Sequence, residues 1–338
     1  MTEKSLSTPY ERAETGEASV KIGFARRFAI VWLCVGAIFA SGCLTSRVTL
    51  PRLLSLEPPV LAANLVGRIA DLQQVQAIRT AVQLQFTDYR DSARGVGKAY
   101  PSAGGALVLR RPQFIRLQVQ ASLLGSLADM ASDGERFAVA IFYPTDRQAF
   151  IHGSNLKTYS ATLPSLSEQQ GISAFANLRP QHLSTPLLPP PIPLDAPEVS
   201  WSVFETRRDE MESAGTRPGW VTRTYYLLYV AQRSAAGQWQ PRFIYWFDRT
   251  LPGTPLTRLE VFEDGGRLST VSEFGGYATA DGKLKALPEW VRILRPAEGY
   301  ALRVTFQSPE VNPASLPDDV FTLTNDRNLK VVDLDAQP

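Results

Sequence analysis

The sequence predicts a mainly β protein of the α+β kind, built on one large, curved antiparallel sheet with few helices. Three observations predict it. Eleven or so stretches alternate apolar and polar residues with period two, the mark of a half-buried strand. Turn formers punctuate them, as Asp264-Gly265-Gly266 does between 256–263 and 268–277. Helical spacing is confined to 60–72 and one or two short stretches within 165–178.

The chain opens on an address. Arg26-Arg27 precedes thirteen mostly apolar residues, 28–40, and then Ser41-Gly42-Cys43. A basic start, an apolar run and small residues before a cysteine are the layout of a lipoprotein signal, with cleavage between Gly42 and Cys43. The run falls short of the ~20 residues a membrane span needs. Ala40-Ser41-Gly42-Cys43 resembles a lipobox, with Ala40 where leucine is commonest. Of the two cysteines, Cys34 lies inside the run and leaves with it. Cys43 then stands alone, which fits a thiol kept for acylation. Residues 1–19 are polar and acidic, unlike a secretory start, so the translated chain is expected to begin near Val20.

Residues 43–59 read as a tether, because Pro51, Pro58 and Pro59 prevent a helix. A helix follows from Val60, with Leu61, Leu65, Ile69 and Leu72 on one face. Then come strands at 78–86, 106–109, 114–121, 136–143 and 148–152. In the third of these, Ile115, Leu117 and Val119 alternate with Arg116, Gln118 and Gln120. Ser165 with Glu168 suits a capping box. The run Leu187-Leu188-Pro189-Pro190-Pro191-Ile192-Pro193-Leu194 cannot sit inside a sheet or helix, so 186–194 is expected to strap across an open sheet edge within a single domain of 60–335. Strands resume at 201–206, 220–231, 239–247, 256–263, 268–277, 290–294 and 300–306, with a short one near 329–334.

Chemistry is scarce. The 338 residues carry a net charge of +2, and no block of like charges offers a surface for nucleic acid. Two histidines, His152 and His182, make a histidine metal site an unlikely use of this chain's residues, and no cofactor is expected. No nucleophile elbow, zinc-protease helix or phosphate loop occurs. Acidic pairs such as Asp209-Glu210 and Asp318-Asp319 read as solvated turn residues. No catalytic residue is therefore expected. The aromatics Tyr225, Tyr226, Tyr229, Phe243, Tyr245, Trp246 and Phe247 concentrate on two neighbouring strands, with Tyr245 and Phe247 on one face. They either pack across strands or line an apolar cavity.

Several stretches carry a resemblance. They are the opening helix and 78–86, the strand-turn-strand of 105–117 through Arg110-Arg111-Pro112-Gln113, and Leu123-Leu124-Gly125 leading to Ser132-Asp133-Gly134. Leu287-Pro288-Glu289-Trp290, Leu302-Arg303-Val304, Val311-Asn312-Pro313 and Phe321 continue it. In their order they resemble the LolA/LolB superfamily of periplasmic lipoprotein-trafficking proteins. The resemblance implies an unclosed half-barrel whose concave face is plugged by helices and admits acyl chains. It implies an apolar site including Ile115, Leu117, Val119, Tyr245 and Phe247, and a membrane-contacting loop at Leu123-Leu124. A lipid-anchored chain matches a LolB-like receptor better than a free carrier. Leu44 after Cys43, where aspartate would signal inner-membrane retention, points to the outer membrane, facing the periplasm. The implied partners are membrane lipid at Cys43, an acyl chain of a lipid or lipoprotein, or alternatively an envelope protein held on the same scaffold.

Overall fold

The computed structural model describes residues 50–90, 96–143, 145–155, 157, 180–189, 191, 193–212, 219–280, 283–284 and 287–336. The architecture belongs to the unit that starts at residue 51. A short β1 (Arg52–Leu53) leads to α1 (Ala62–Gln73), β2 (Ala77–Asp88) and β3 (Lys98–Ala99). A meander follows: β4 (Ala103–Arg110), β5 (Phe114–Ala121), β6 (Gly125–Asp133), β7 (Arg136–Ile141) and β8 (Ala149–Ser154). After α2 (Pro180–Leu187) come β9 (Val199–Glu212), β10 (Gly219–Arg233), β11 (Trp239–Asp248), β12 (Leu256–Phe262) and β13 (Leu268–Gly275). A tiny hairpin of β14 (Thr279–Ala280) and β15 (Lys283–Leu284) precedes β16 (Trp290–Arg295), β17 (Tyr300–Val311) and β18 (Val331–Asp333).

All but that hairpin join one sheet. Its path runs β9, β10, β11, β12, β13, β16, β17, β2, β4, β5, β6, β7, β8, β18, with β1 beside the start of β10 and β3 beside the end of β2. The two outermost strands, β9 and β18, do not pair with each other, so the sheet is unclosed. Its pairs are antiparallel except at two places, where β1 joins β10 and β18 joins β8 in parallel, which makes the sheet mixed. The sheet must also curl. Strands β16 and β5 are four steps apart, about 19 Å along a flat sheet. Yet α2, a helix roughly 12 Å long, packs on β13 and β16 on one flank and on β5 and β6 on the other.

Period-two burial follows from that curl. On β2 the inward positions Ile78, Val82, Leu84 and Phe86 are buried, while Arg79, Gln83 and Gln85 face water. One continuous core takes in these residues, their neighbours on every long strand from β4 to β8 and β10 to β17, and both helices. Helix α1 has no side-chain cap at its N-terminus, so it is held by packing rather than by its own ends. Leu65 and Ile69 are buried, and each such side chain contributes ~1.5–3 kcal/mol by leaving water. Leu61, expected on the same face, is 74% exposed, because it precedes the first helical residue and its chain still runs extended.

The meander needs one glycine. A side-chain carbon on Gly105 would lie 2.3 Å from the Gln118 carbonyl oxygen of β5. The convex face over β5–β8 is covered by the chain after β17. Phe321 packs edge-on against Phe114 at 5.3 Å, and Leu329 joins Ala140 and Phe150. Two expectations change here. β6 reads Gly-Ser-Leu-Ala-Asp-Met-Ala-Ser-Asp, small and acidic residues with poor strand preference, and only its neighbours make it a strand. Asp209 and Glu210 lie inside the 14-residue β9 rather than in a turn. There Asp209 accepts from the Thr222 hydroxyl and Glu210 from the Tyr225 hydroxyl, so cross-strand partners hold them in the ladder.

Candidate functional site

The concave face is where the sheet gathers its apolar side chains. Ile115, Leu117 and Val119 from β5 and Tyr245 and Phe247 from β11 all point into it, each at most 2% exposed. The structure thus brings the five predicted lining residues into one core. It packs them with Leu65 and Ile69 of α1 and Leu183 and Leu187 of α2.

One residue ties the helices down. Arg111, in the turn between β4 and β5, donates from Nε to the Val75 carbonyl at 2.8 Å and from Nη2 to Leu72 at 3.2 Å. Its Nη1 donates to Pro189 at 2.5 Å and to Leu188 at 3.4 Å. The C-terminal turns of α1 and α2 leave such carbonyls without helical partners, and a cation suits that end of a helix dipole. Burial lowers the Arg111 pKa, while the nearby Tyr245 phenol acts the other way. The first residues of the proline run, Leu187 to Pro189, are buried at this clasp, where Arg111 takes the carbonyls of Leu188 and Pro189.

Three buried hydroxyls share the concave face without partners: Tyr245, Ser272 and Ser184. Tyr245 and Ser272 lie in one row, each beside Leu259 of β12. Ser184 lies on the buried stripe of α2 with Pro180, Leu183 and Leu187. Burial pushes the Tyr245 phenol far up, with Arg111 pulling it back, so the group is a neutral hydroxyl throughout the physiological range. Two other buried polar atoms, Oδ1 of Asn155 and Nε1 of Trp246, also lack partners, whereas the buried guanidinium of Arg295 is satisfied. Arg295, 5% exposed, reaches Glu298 through two nitrogens and both Ser269 and Thr270 through a third.

Leu123 and Leu124 stand apart from the concave five. They form the tip of the β5–β6 hairpin, 97% and 53% exposed, where Gly125 turns the chain at a φ of +73°. Strand alternation puts this tip at the same end of the sheet as the β10–β11, β12–β13 and β16–β17 hairpins. His152 lies outside the concavity, 3.7 Å from Asp333, and His182 on α2 meets the Tyr300 hydroxyl at 3.4 Å. Asp318 holds Arg110 at 2.6 Å. Gly42 and Cys43, the signal, and the expected helices and capping box of 165–178 lie outside the described residues. Among the described residues, no three His, Cys, Asp or Glu side chains gather, and no helix is long and apolar enough to cross a membrane. Sequence reasoning passed over Arg111, Ser184 and Ser272. Arg-Arg-Pro read as an ordinary turn, and single serines in a helix and a strand carry no local signal.

By sequence, no known protein family and no curated protein matches the chain. Solved structures do. A LolA superfamily protein from Nitrosomonas europaea matches at 12% identity, over 78% of this chain and 99% of that one, with a TM-score of 0.41. A DUF1329 family protein from Desulfovibrio piger matches at 12% identity, over 77% and 95%, with a TM-score of 0.39. An outer membrane lipoprotein-sorting protein domain from Vibrio parahaemolyticus matches at 8%, over 75% and 94%, with a TM-score of 0.38. The large unclosed sheet with few helices is the fold class that the sequence predicted.

Proposed function

We propose that this chain is an envelope lipoprotein, tethered through Cys43, whose LolA-like concavity binds acyl chains of lipids or lipoproteins. It performs no covalent chemistry. The observation that carries this reading is an apolar concave face covered by two helices that one arginine holds shut. Opening such a cover releases the Arg111 hydrogen bonds and lifts Leu65, Ile69, Leu183 and Leu187 off the face, a cost that burial of the ligand must offset. Each methylene buried from a ligand then adds ~0.8 kcal/mol. The exposed Leu123-Leu124 tip supplies a membrane contact of the LolB kind. We place the chain at the outer membrane, facing the periplasm.

Lipid extraction and native mass spectrometry of the purified chain test the reading, and bound acyl lipid is the expected result. Replacing Cys43 with alanine is expected to abolish palmitate labelling and membrane association. Unchanged labelling would refute acylation there. Leu123→Glu with Leu124→Glu is expected to weaken binding to phospholipid vesicles by roughly tenfold or more. Its thermal midpoint should hardly move, since exposed substitutions change stability by about 0.5 kcal/mol or less. A second reading, a sensory or structural lipoprotein that holds a protein partner on the same scaffold, is favoured by the tight packing of Tyr245 and Phe247, both 0% exposed. A lipid-free chain that captures one envelope protein would replace the first reading with this one.

A further inference from the structure

Burying a hydroxyl without a hydrogen bond costs about 1–3 kcal/mol, and native folds leave few such groups. Here three stand on one apolar surface. Tyr245 and Ser272 are 0% exposed and Ser184 is 3% exposed. The register places Tyr245 and Ser272 two strands apart, about 10 Å between backbones, with Leu259 between them. Ser184 comes from α2, which packs on β13, the strand of Ser272. One turn further along α2, the Ser184 carbonyl accepts from the Leu188 amide at 2.8 Å, and the Leu188 carbonyl is in the Arg111 clasp. Sheet and helix thus each contribute hydroxyls to an otherwise apolar surface.

We propose that Tyr245, Ser272 and Ser184 form a polar subsite in the concavity that donates hydrogen bonds to the carboxyl or ester oxygens of an acyl ligand. The proposal rests on the acyl-binding reading and deepens it. A purely hydrocarbon ligand would leave all three hydroxyls unpaired, whereas an oxygen acceptor at the end of the chain pairs them. Because the hydroxyls sit on both the sheet and α2, an oxygenated ligand would bridge the two. The tail would then lie against the apolar core around that row.

The test uses the purified full chain and displacement of a fluorescent acyl probe by laurate, methyl laurate and dodecane. Wild type is compared with Tyr245→Phe, Ser272→Ala and Ser184→Ala. Each variant is expected to bind laurate, methyl laurate or both about three- to tenfold more weakly. Dodecane should compete as before. The ligand-free thermal midpoint should stay level or rise, because an unpaired buried hydroxyl has been removed. A loss confined to laurate identifies a free carboxylate as the ligand group, and a loss on both identifies an acyl ester. If wild type binds and the variants bind equally well, the subsite is wrong and the acyl reading stands. If all three ligand-free midpoints fall with no loss specific to oxygenated ligands, the hydroxyls hold internal water only and the subsite is again wrong. If wild type binds none of the three compounds, the acyl reading fails and takes the subsite with it.

Discussion

Replacing Arg111 with alanine is expected to lower the unfolding free energy by about 3 kcal/mol. The guanidinium makes four hydrogen bonds to carbonyls of residues 72, 75, 188 and 189. Bonds from a charged donor are worth about 1.5–3 kcal/mol each, less whatever water recovers once the carbonyls are released. Arg111→Lys should recover only a fraction, since an ammonium cannot address two helix ends at once as a planar fork does. Denaturant unfolding gives the loss, and amide exchange gives its location. Protection is expected to fall first in α1 and α2, with β5, β6, β13 and β16, on which α2 packs, following. A loss below about 1 kcal/mol, or exchange rising evenly across the sheet, would remove the clasp from the account.

A second large effect is expected on the convex side. Arg116 and Asp129 form a two-pronged pair with both contacts at 2.6 Å, on neighbouring strands β5 and β6. The same guanidinium reaches the Val320 carbonyl at 3.3 Å and the Thr322 carbonyl at 2.5 Å. It therefore fastens the C-terminal segment to the sheet. Asp129→Ala strands a positive charge under that segment and should cost about 3 kcal/mol. The double change Arg116→Met with Asp129→Leu should cost less than the single one, because no charge is left unpaired. The single variant should also be cut by protease within 312–330 at concentrations that leave the wild type whole. Equal stability of wild type and Asp129→Ala would show that water already replaces the carboxylate.

Strand positions were legible because burial on one face forces a period of two, and β2, β5 and β17 show it clearly. β6 was not legible. Its burial on both faces comes from α2 on one side and Asp318–Phe321 on the other, neither of which its own composition announces. The five apolar site residues could be named in advance for the same reason the strands could: alternation fixes the inward face. Leu123-Leu124 was named only through the resemblance, because nothing in the local sequence decides whether two leucines at a turn face water or fold under the sheet.

By itself, then, the sequence determined the local elements, the inward face of each strand and the signal-like layout ending at Cys43, because these depend on neighbours a few residues away. The tertiary structure alone decided what closes the concave face. Arg111 meets helix ends 36 to 78 residues away, and Tyr245, Ser272 and Ser184 share an apolar surface through strand order and helix docking. No local pattern encodes a partner at that separation. Such partners are fixed by which strands pair and how far the sheet curls.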